Sequence, residues 1–188
     1  KTDAFAAAHP EGFVQCGVGE HNAATVAGAL STTGVATYWA DFGVFGVDEV
    51  FNQQRLNDIN STNVKLVVTH CGLDVGEDGK THQCLDYVGA FRNLFGWKVV
   101  VPADPNQTDR AVRSMSSVDG NVAIALGRSK VPVIVKTDGS PLFGGDYEFA
   151  YGAVEWAREG DAGVVLVMGT PAHAALAAAD VLAGEGVR

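Results

Sequence analysis

Between His70 and Gln83 the chain sets two histidines, three acids and three glycines within fourteen residues: His70-Cys71-Gly72-Leu73-Asp74-Val75-Gly76-Glu77-Asp78-Gly79-Lys80-Thr81-His82-Gln83. Histidine is the side chain suited to moving protons near neutrality, and glycine lets backbone approach a ligand closely. Such a density is hard to explain as a plain solvated loop. Metal ligation is the competing account. However, His70 and His82 lie twelve positions apart with no Cys/His pairing at ligand spacing, which argues against zinc.

Three other places carry chemistry-bearing residues. Gly17-Val18-Gly19-Glu20-His21-Asn22 puts two glycines ahead of three polar residues that open a helix. Glu20 there is either an acidic first-turn residue or a carboxylate at a sheet edge, where partial burial would raise its pKa for proton work. Trp39, Phe42 and Phe45 are aromatics spaced three apart beside Gly43 and Asp41. Core packing is the ordinary reading of such a stripe, and a flat cradle for a planar ring is its rival. Arg128 is either a surface arginine or a bidentate anion clamp.

To act together, these residues need a scaffold that brings them to one edge. Apolar β-branched runs predict strands at Val64–Thr69, Lys98–Val101, Val122–Leu126, Val131–Val135 and Val164–Met168, with weaker ones at Phe13–Cys16 and Val35–Trp39. Helical patterns lie between them at about 21–32, 48–60, 81–94, 106–118 and 171–184, with Asp48 and Asn106 as candidate caps and Pro171 as a first-turn residue. Alternation of this kind predicts an α/β fold: a doubly wound, mainly parallel sheet with helices on both faces. Ligands bind such sheets outside the carboxyl ends of the strands, where Glu20, Phe42, His70 and Arg128 all follow expected strands. Residues 137–149 hold three glycines and a proline without regular period and read as a linker. The strand and Ala-rich helix after it cannot bury their own apolar faces, so they read as the opening of a second domain.

Composition narrows the classes. The 188 residues carry 22 acids against 13 bases, a net charge of -9, with 47% hydrophobic residues. An acidic body argues against nucleic acid or a membrane surface as general partner. No apolar run approaches the roughly 20 residues of a membrane-spanning helix. Cys16, Cys71 and Cys84 form no CxxC pair, which suits a reduced, cytoplasmic chain.

Taken in order from about Phe13 to Val135, these segments resemble the pyrimidine-binding domain of the transketolase family. The most specific part is Thr69-His70 followed by Glu77-Asp78-Gly79-Lys80-Thr81-His82-Gln83, similar to that family's T-H-(x)-G-E-D-G-P-T-H-Q signature. Gly19-Glu20-His21 resembles its x-E-H turn, and Pro102-Ala103-Asp104-x-Asn106 its P-A-D-x-N. The resemblance implies thiamine diphosphate as cofactor, with Glu20 contacting N1′ of the aminopyrimidine, and Trp39, Phe42 and Phe45 at the ring-stacking positions. It places His70, Asp78 and His82 on the substrate side, with the histidines handling protons and Asp78 reading hydroxyl stereochemistry. Arg128 would grip the phosphate of a sugar phosphate.

Two departures matter. Lys80 stands where the signature has proline, and no Gly-Asp-Gly exists to begin a diphosphate and Mg²⁺ site. The implied arrangement is a pyrimidine-binding domain over 1–140, then a linker and the first strand–helix unit of a truncated C-terminal domain over 141–188. The metal and diphosphate would sit on an N-terminal diphosphate-binding subunit in an α2β2 heterotetramer. The implied function is ketol transfer from a ketose phosphate by the C-terminal subunit of a split transketolase-like enzyme. The alternatives are a subunit loading a two-carbon unit onto a lipoyl or carrier-protein thiol, and a non-catalytic assembly subunit.

Overall fold

Alternate residues of one strand, β4 (Asn121–Ala125), face two different cores. Ala123 and Ala125 pack with Ala23, Ala24 and Ala27 of helix α2 (Glu20–Ser31), while Val122 and Ile124 pack with Ala111 and Met115 of another helix, Pro105–Ser116. The sheet is therefore covered on both sides, which is why its strands read as nearly continuous apolar runs. In this computed structural model, which describes residues 2–188, the sheet has four parallel strands in the order β1-β2-β4-β3. They are β1 (Thr37–Phe42), β2 (Val64–Thr69), β3 (Trp97–Val100) and β4. The expected parallel α/β architecture is what the chain adopts.

The remaining helices are α1 (Asp3–Ala8), α3 (Phe51–Ile59), α4 (Tyr87–Phe91), α5 (Pro105–Ser116) and α6 (Ala172–Gly184). A π-helical turn, Val44–Glu49, leads into α3, and a 3₁₀ stretch, Gly76–Thr81, lies in the His70–Gln83 segment. No helix among the described residues is long and apolar enough to cross a membrane.

Register brings the carboxyl ends of three strands level. Phe42 pairs with Thr69, and Val68 with Ala125. Pairing continues past the strands, because Leu126 N donates to Val68 O at 2.8 Å and Cys71 N to Leu126 O at 3.0 Å. This extension holds His70 and Arg128 at one edge. The opposite edge is knitted by polar groups: buried Lys65 donates through Nζ to Asn63 Oδ1 at 2.7 Å and to the Val118 and Gly120 carbonyls at 2.6 and 2.7 Å.

Several expectations need correction. Phe13–Cys16, Val131–Val135 and Val164–Met168 form no strands. A β-branched run becomes a strand only when a neighbour takes up its backbone groups. Pro132 offers no backbone donor, and Ile134 N instead donates to the Asp104 side chain at 2.8 Å. Residues 164–168 stand 44–79% exposed beside no partner strand. The caps also differ. Asp104, not Asn106, caps α5, its Oδ1 accepting from Gln107 N at 2.7 Å with Pro105 in the first turn. Asp48 lies inside the π-helical turn, and Val50 precedes α3 without a side-chain cap. The helix expected over 81–94 shrinks to Tyr87–Phe91. The stretch read as a linker is partly packed: Phe143 is buried with Ala103, Ile134 and Ala172 of α6.

Candidate functional site

His70 follows β2 in a left-handed conformation, φ 63°. Histidine is one of the few non-glycine types enriched there. The turn takes the chain out of the sheet and leaves the imidazole buried at the carboxyl edge. Its Nδ1 lies 2.9 Å from Thr69 Oγ1, and its Nε2 3.2 Å from Asp78 Oδ2. A carboxylate only accepts, so Nε2 carries the proton toward Asp78, and the Thr69 hydroxyl, able to donate or accept, holds Nδ1.

Asp78 is the hub. The same Oδ2 lies 2.7 Å from Arg128 Nε, and Arg128 Nη2 reaches Glu77 Oε1 at 2.7 Å. Desolvation alone would raise the Asp78 pKa, but the hydrogen bonds and charges of Arg128 and His70 outweigh it and hold the carboxyl below the ordinary aspartate range. Glu77 is lowered as well, by its own backbone hydrogen bond first and by Arg128 next. The two acids in turn raise Arg128, the Asp78 hydrogen bond most. Gly76, at φ 66°, has the guanidinium against it, since a Cβ there would sit 3.1 Å from Arg128 Nη1. Arg128 is thus matched by two carboxylates.

The aromatic residues divide. Phe42, ending β1, and Phe45, on the π-helical turn, have ring centroids 6.1 Å apart. Phe42 meets the His70 ring at 4.3 Å and the His82 ring at 5.6 Å, both edge-on, and Phe45 meets His82 at 5.3 Å. Trp39 lies apart from this group, 9% exposed within the α2-facing core. His82 is fixed by Thr81 Oγ1, 2.8 Å from its Nδ1, and Lys80 is exposed.

Glu20 is half-buried at the first residue of α2, where the helix dipole favours a carboxylate. Its neighbour His21 sits 3.7 Å from Glu49 of the π-helical turn, tying the start of α2 to the segment that carries Phe45.

The structure therefore joins Phe42, Phe45, His70, Asp78, His82 and Arg128 in one cluster, with Glu20 on the adjoining helix and Trp39 in the core. Sequence reasoning missed three participants: Glu77 as a second acid on Arg128, and Thr69 and Thr81 as the hydroxyls that orient the histidines. The signal was a threonine immediately before each histidine. Among the described residues no group of three or more His, Cys, Asp or Glu is placed to hold a metal ion. What the cluster offers is two oriented imidazoles for proton exchange, a carboxylate and a guanidinium for polar recognition, and two rings for a planar apolar group.

Comparison with known proteins bears on the family and the fold. Residues 1–133 match the family described as transketolase, pyrimidine binding domain. The chain is 31% identical over 187 residues to transketolase-like protein 2 of Mus musculus, covering 99% of this chain and 29% of that protein. It is similar to a solved split gene transketolase, an inactive β4 tetramer, with 34% identity and a TM-score of 0.85 over 100% of this chain and 58% of that one. Transketolase of Pichia stipitis in complex with sedoheptulose 7-phosphate aligns with 92% of this chain and 25% of its own, at 25% identity and a TM-score of 0.68. The chain spans only 29% of the length of the mouse relative.

Proposed function

Because the chain belongs to the transketolase family, which it matches through the pyrimidine-binding domain, we propose that it is the C-terminal subunit of a split, thiamine diphosphate-dependent transketolase. In this reading it helps to move a two-carbon ketol unit from a ketose phosphate to an acceptor. The observation that carries the proposal is the convergence of Phe42, Phe45, His70, Asp78, His82 and Arg128 at the carboxyl edge of β1, β2 and β4. The similar split gene transketolase supports the subunit assignment, and the Pichia stipitis complex supports a sugar phosphate.

The residues present fit the aminopyrimidine half of the cofactor. Phe42 and Phe45 offer ring surface, and Glu20 offers a half-buried carboxylate beside the turn that carries Phe45. Bound thiamine diphosphate would supply the electron sink for carbon–carbon bond cleavage. Glu20 would hold a proton with the ring nitrogen N1′. His70 and His82, oriented by Thr69 and Thr81, would exchange protons with substrate oxygens, and Asp78 would accept from a sugar hydroxyl. Arg128 would receive the phosphate by trading one of its two carboxylate partners for it. Trp39 supports β1 from within the core rather than lining the ring site.

We assign Mg²⁺ and the diphosphate to an N-terminal diphosphate-binding subunit in an α2β2 assembly, because the sequence holds no Gly-Asp-Gly. Residues 1–140 would form the pyrimidine-binding domain and 141–188 would begin a further one. Three free cysteines suit work in the cytoplasm.

The test is to combine the chain with an N-terminal diphosphate-binding transketolase subunit, thiamine diphosphate and Mg²⁺, and to assay ketol transfer from xylulose 5-phosphate. Turnover that collapses in Glu20→Ala is the expected result. No turnover in the wild type, or full turnover in Glu20→Ala, overturns the proposal. Turnover only with a 2-oxoacid donor and a lipoyl or carrier-protein thiol would replace ketol transfer with two-carbon loading.

A further inference from the structure

Cys71 and Cys84 flank the segment that carries both histidines, and they face each other. They form an isolated parallel β-bridge, in which Gly72 N donates to Cys84 O at 2.7 Å and Cys84 N to His70 O at 3.4 Å. Adjacent strands run about 4.8 Å apart, and a disulfide spans Cα separations of about 4.4–6.8 Å. The backbone is therefore already at bridging distance. The side chains converge as well. A Cβ built on Gly43 would lie 2.8 Å from Cys71 Sγ, 2.8 Å from Cys84 Cβ and 3.2 Å from Cys84 Sγ, so both sulfurs border one point. Both residues are free thiols and both are buried.

We propose that Cys71 and Cys84 are a redox modification site, a dithiol that closes to a disulfide across the neck of the 72–83 loop. A low-molecular-weight disulfide is the oxidant class that the step requires. One thiol, as thiolate, attacks a sulfur of that disulfide and releases the first small thiol. The second protein thiol then attacks the mixed disulfide and releases the other. Two protein thiols are oxidised, one disulfide is reduced to two thiols, and the two protons pass to the departing thiolates.

Reactivity is graded by position. The hydrogen bond with Cys71, followed by burial, pushes the Cys84 thiol far above its ordinary range, so Cys84 is the resolving partner. Cys71, at 8% exposure against 0% for Cys84, is the sulfur that a small oxidant reaches first. Because the pair is covered, oxidation proceeds at the rate at which the loop neck opens.

The disulfide would clamp the loop that holds Asp78 against Arg128 and His82 against Phe42 and Phe45. The closed state fixes the histidine-bearing segment covalently, and the reduced state leaves its neck held by hydrogen bonds, those of the backbone and that of Gln83 Nε2 to Leu73 O at 3.1 Å. Cys16 is half-buried on the segment before α2 and takes no part.

The experiment uses the whole chain with oxidised glutathione or dithiothreitol, followed by iodoacetamide in denaturant, trypsin and mass spectrometry. Trypsin cleaves after Lys80, so Cys71 and Cys84 fall on separate peptides, 66–80 and 81–92. Expected in the oxidised sample is one species joining these two peptides with the loss of two hydrogens, and in Cys84→Ser a glutathione adduct on Cys71 instead. Alkylation of both cysteines, separate glutathione adducts on each, or a cross-link to Cys16 would overturn the proposal. Hydrogen exchange of amides 72–83 should slow by about tenfold or more on oxidation. Unchanged exchange would overturn the clamp.

Discussion

Arg128 Nε lies 2.7 Å from Asp78 Oδ2, and that pairing locks the loop after β2 to the segment after β4. Asp78 is held below the ordinary aspartate value of 3.8 and Glu77 below the ordinary glutamate value of 4.5. A carboxyl with a depressed folded pKa contributes its full stabilisation above its unfolded pKa and loses it as pH falls through the folded one. Asp78→Asn should therefore lower the Tm relative to wild type at neutral pH, and the gap should close as the pH falls through the lowered Asp78 pKa, below the ordinary 3.8. Differential scanning calorimetry from pH 7 to pH 2 checks this, and a gap that persists in acid would refute the linkage.

Asp104 joins two distant segments through one carboxylate. Its Oδ1 accepts from Gln107 N at 2.7 Å and its Oδ2 from Ile134 N at 2.8 Å, in a position only 2% exposed. Asp104→Ala removes a helix cap and strands a buried donor, a loss of about 2–4 kcal/mol. Urea unfolding measures it. A loss under about 0.5 kcal/mol would mean that water replaces both bonds.

The strands that have neighbours were legible in the sequence, as was the clustering of polar residues at their carboxyl ends. Val64–Thr69 is identified to the residue, because burial on both faces favours a nearly continuous apolar run, interrupted here only by Lys65 before the closing Thr69. Val164–Met168 has the same pattern and no neighbour, and a one-dimensional pattern carries no information about whether a partner is present. The Pro-Ala-Asp match pointed to the family without showing why the aspartate is there, and its tie to Ile134 is a tertiary fact. The opposition of Cys71 and Cys84 was equally hidden, because it depends on how the 72–83 loop returns to the sheet.

Glu20→Gln keeps the size of the side chain and removes its charge. In the assembled enzyme, ketol transfer should fall by about 10²–10⁴-fold, the usual range for a lost proton-transfer group. Stability of the chain should change by no more than about 0.5 kcal/mol, as expected for a half-exposed position. Steady-state kinetics beside thermal unfolding separates the two effects. Equal activity of mutant and wild type would remove Glu20 from the site.

Gly43 is glycine for space and not for conformation, since its φ of -57° is available to any residue. Gly43→Ala drives a methyl group to within 2.8 Å of Cys71 Sγ and Cys84 Cβ. The expected cost is about 1–3 kcal/mol of overpacking, read by urea unfolding under reducing conditions. A neutral result would show that the cysteine pair moves aside easily.

The exposed run Val164–Met168 gives the chain a colloidal character that its acidic surface would otherwise conceal. A β-prone apolar segment outside any sheet can template pairing with another backbone. Mutual repulsion among molecules of net charge -9 opposes that encounter, but salt screens the repulsion and leaves the apolar attraction intact. Light scattering of the chain on its own should therefore rise with ionic strength as well as with concentration, the reverse of a protein held together by ion pairs.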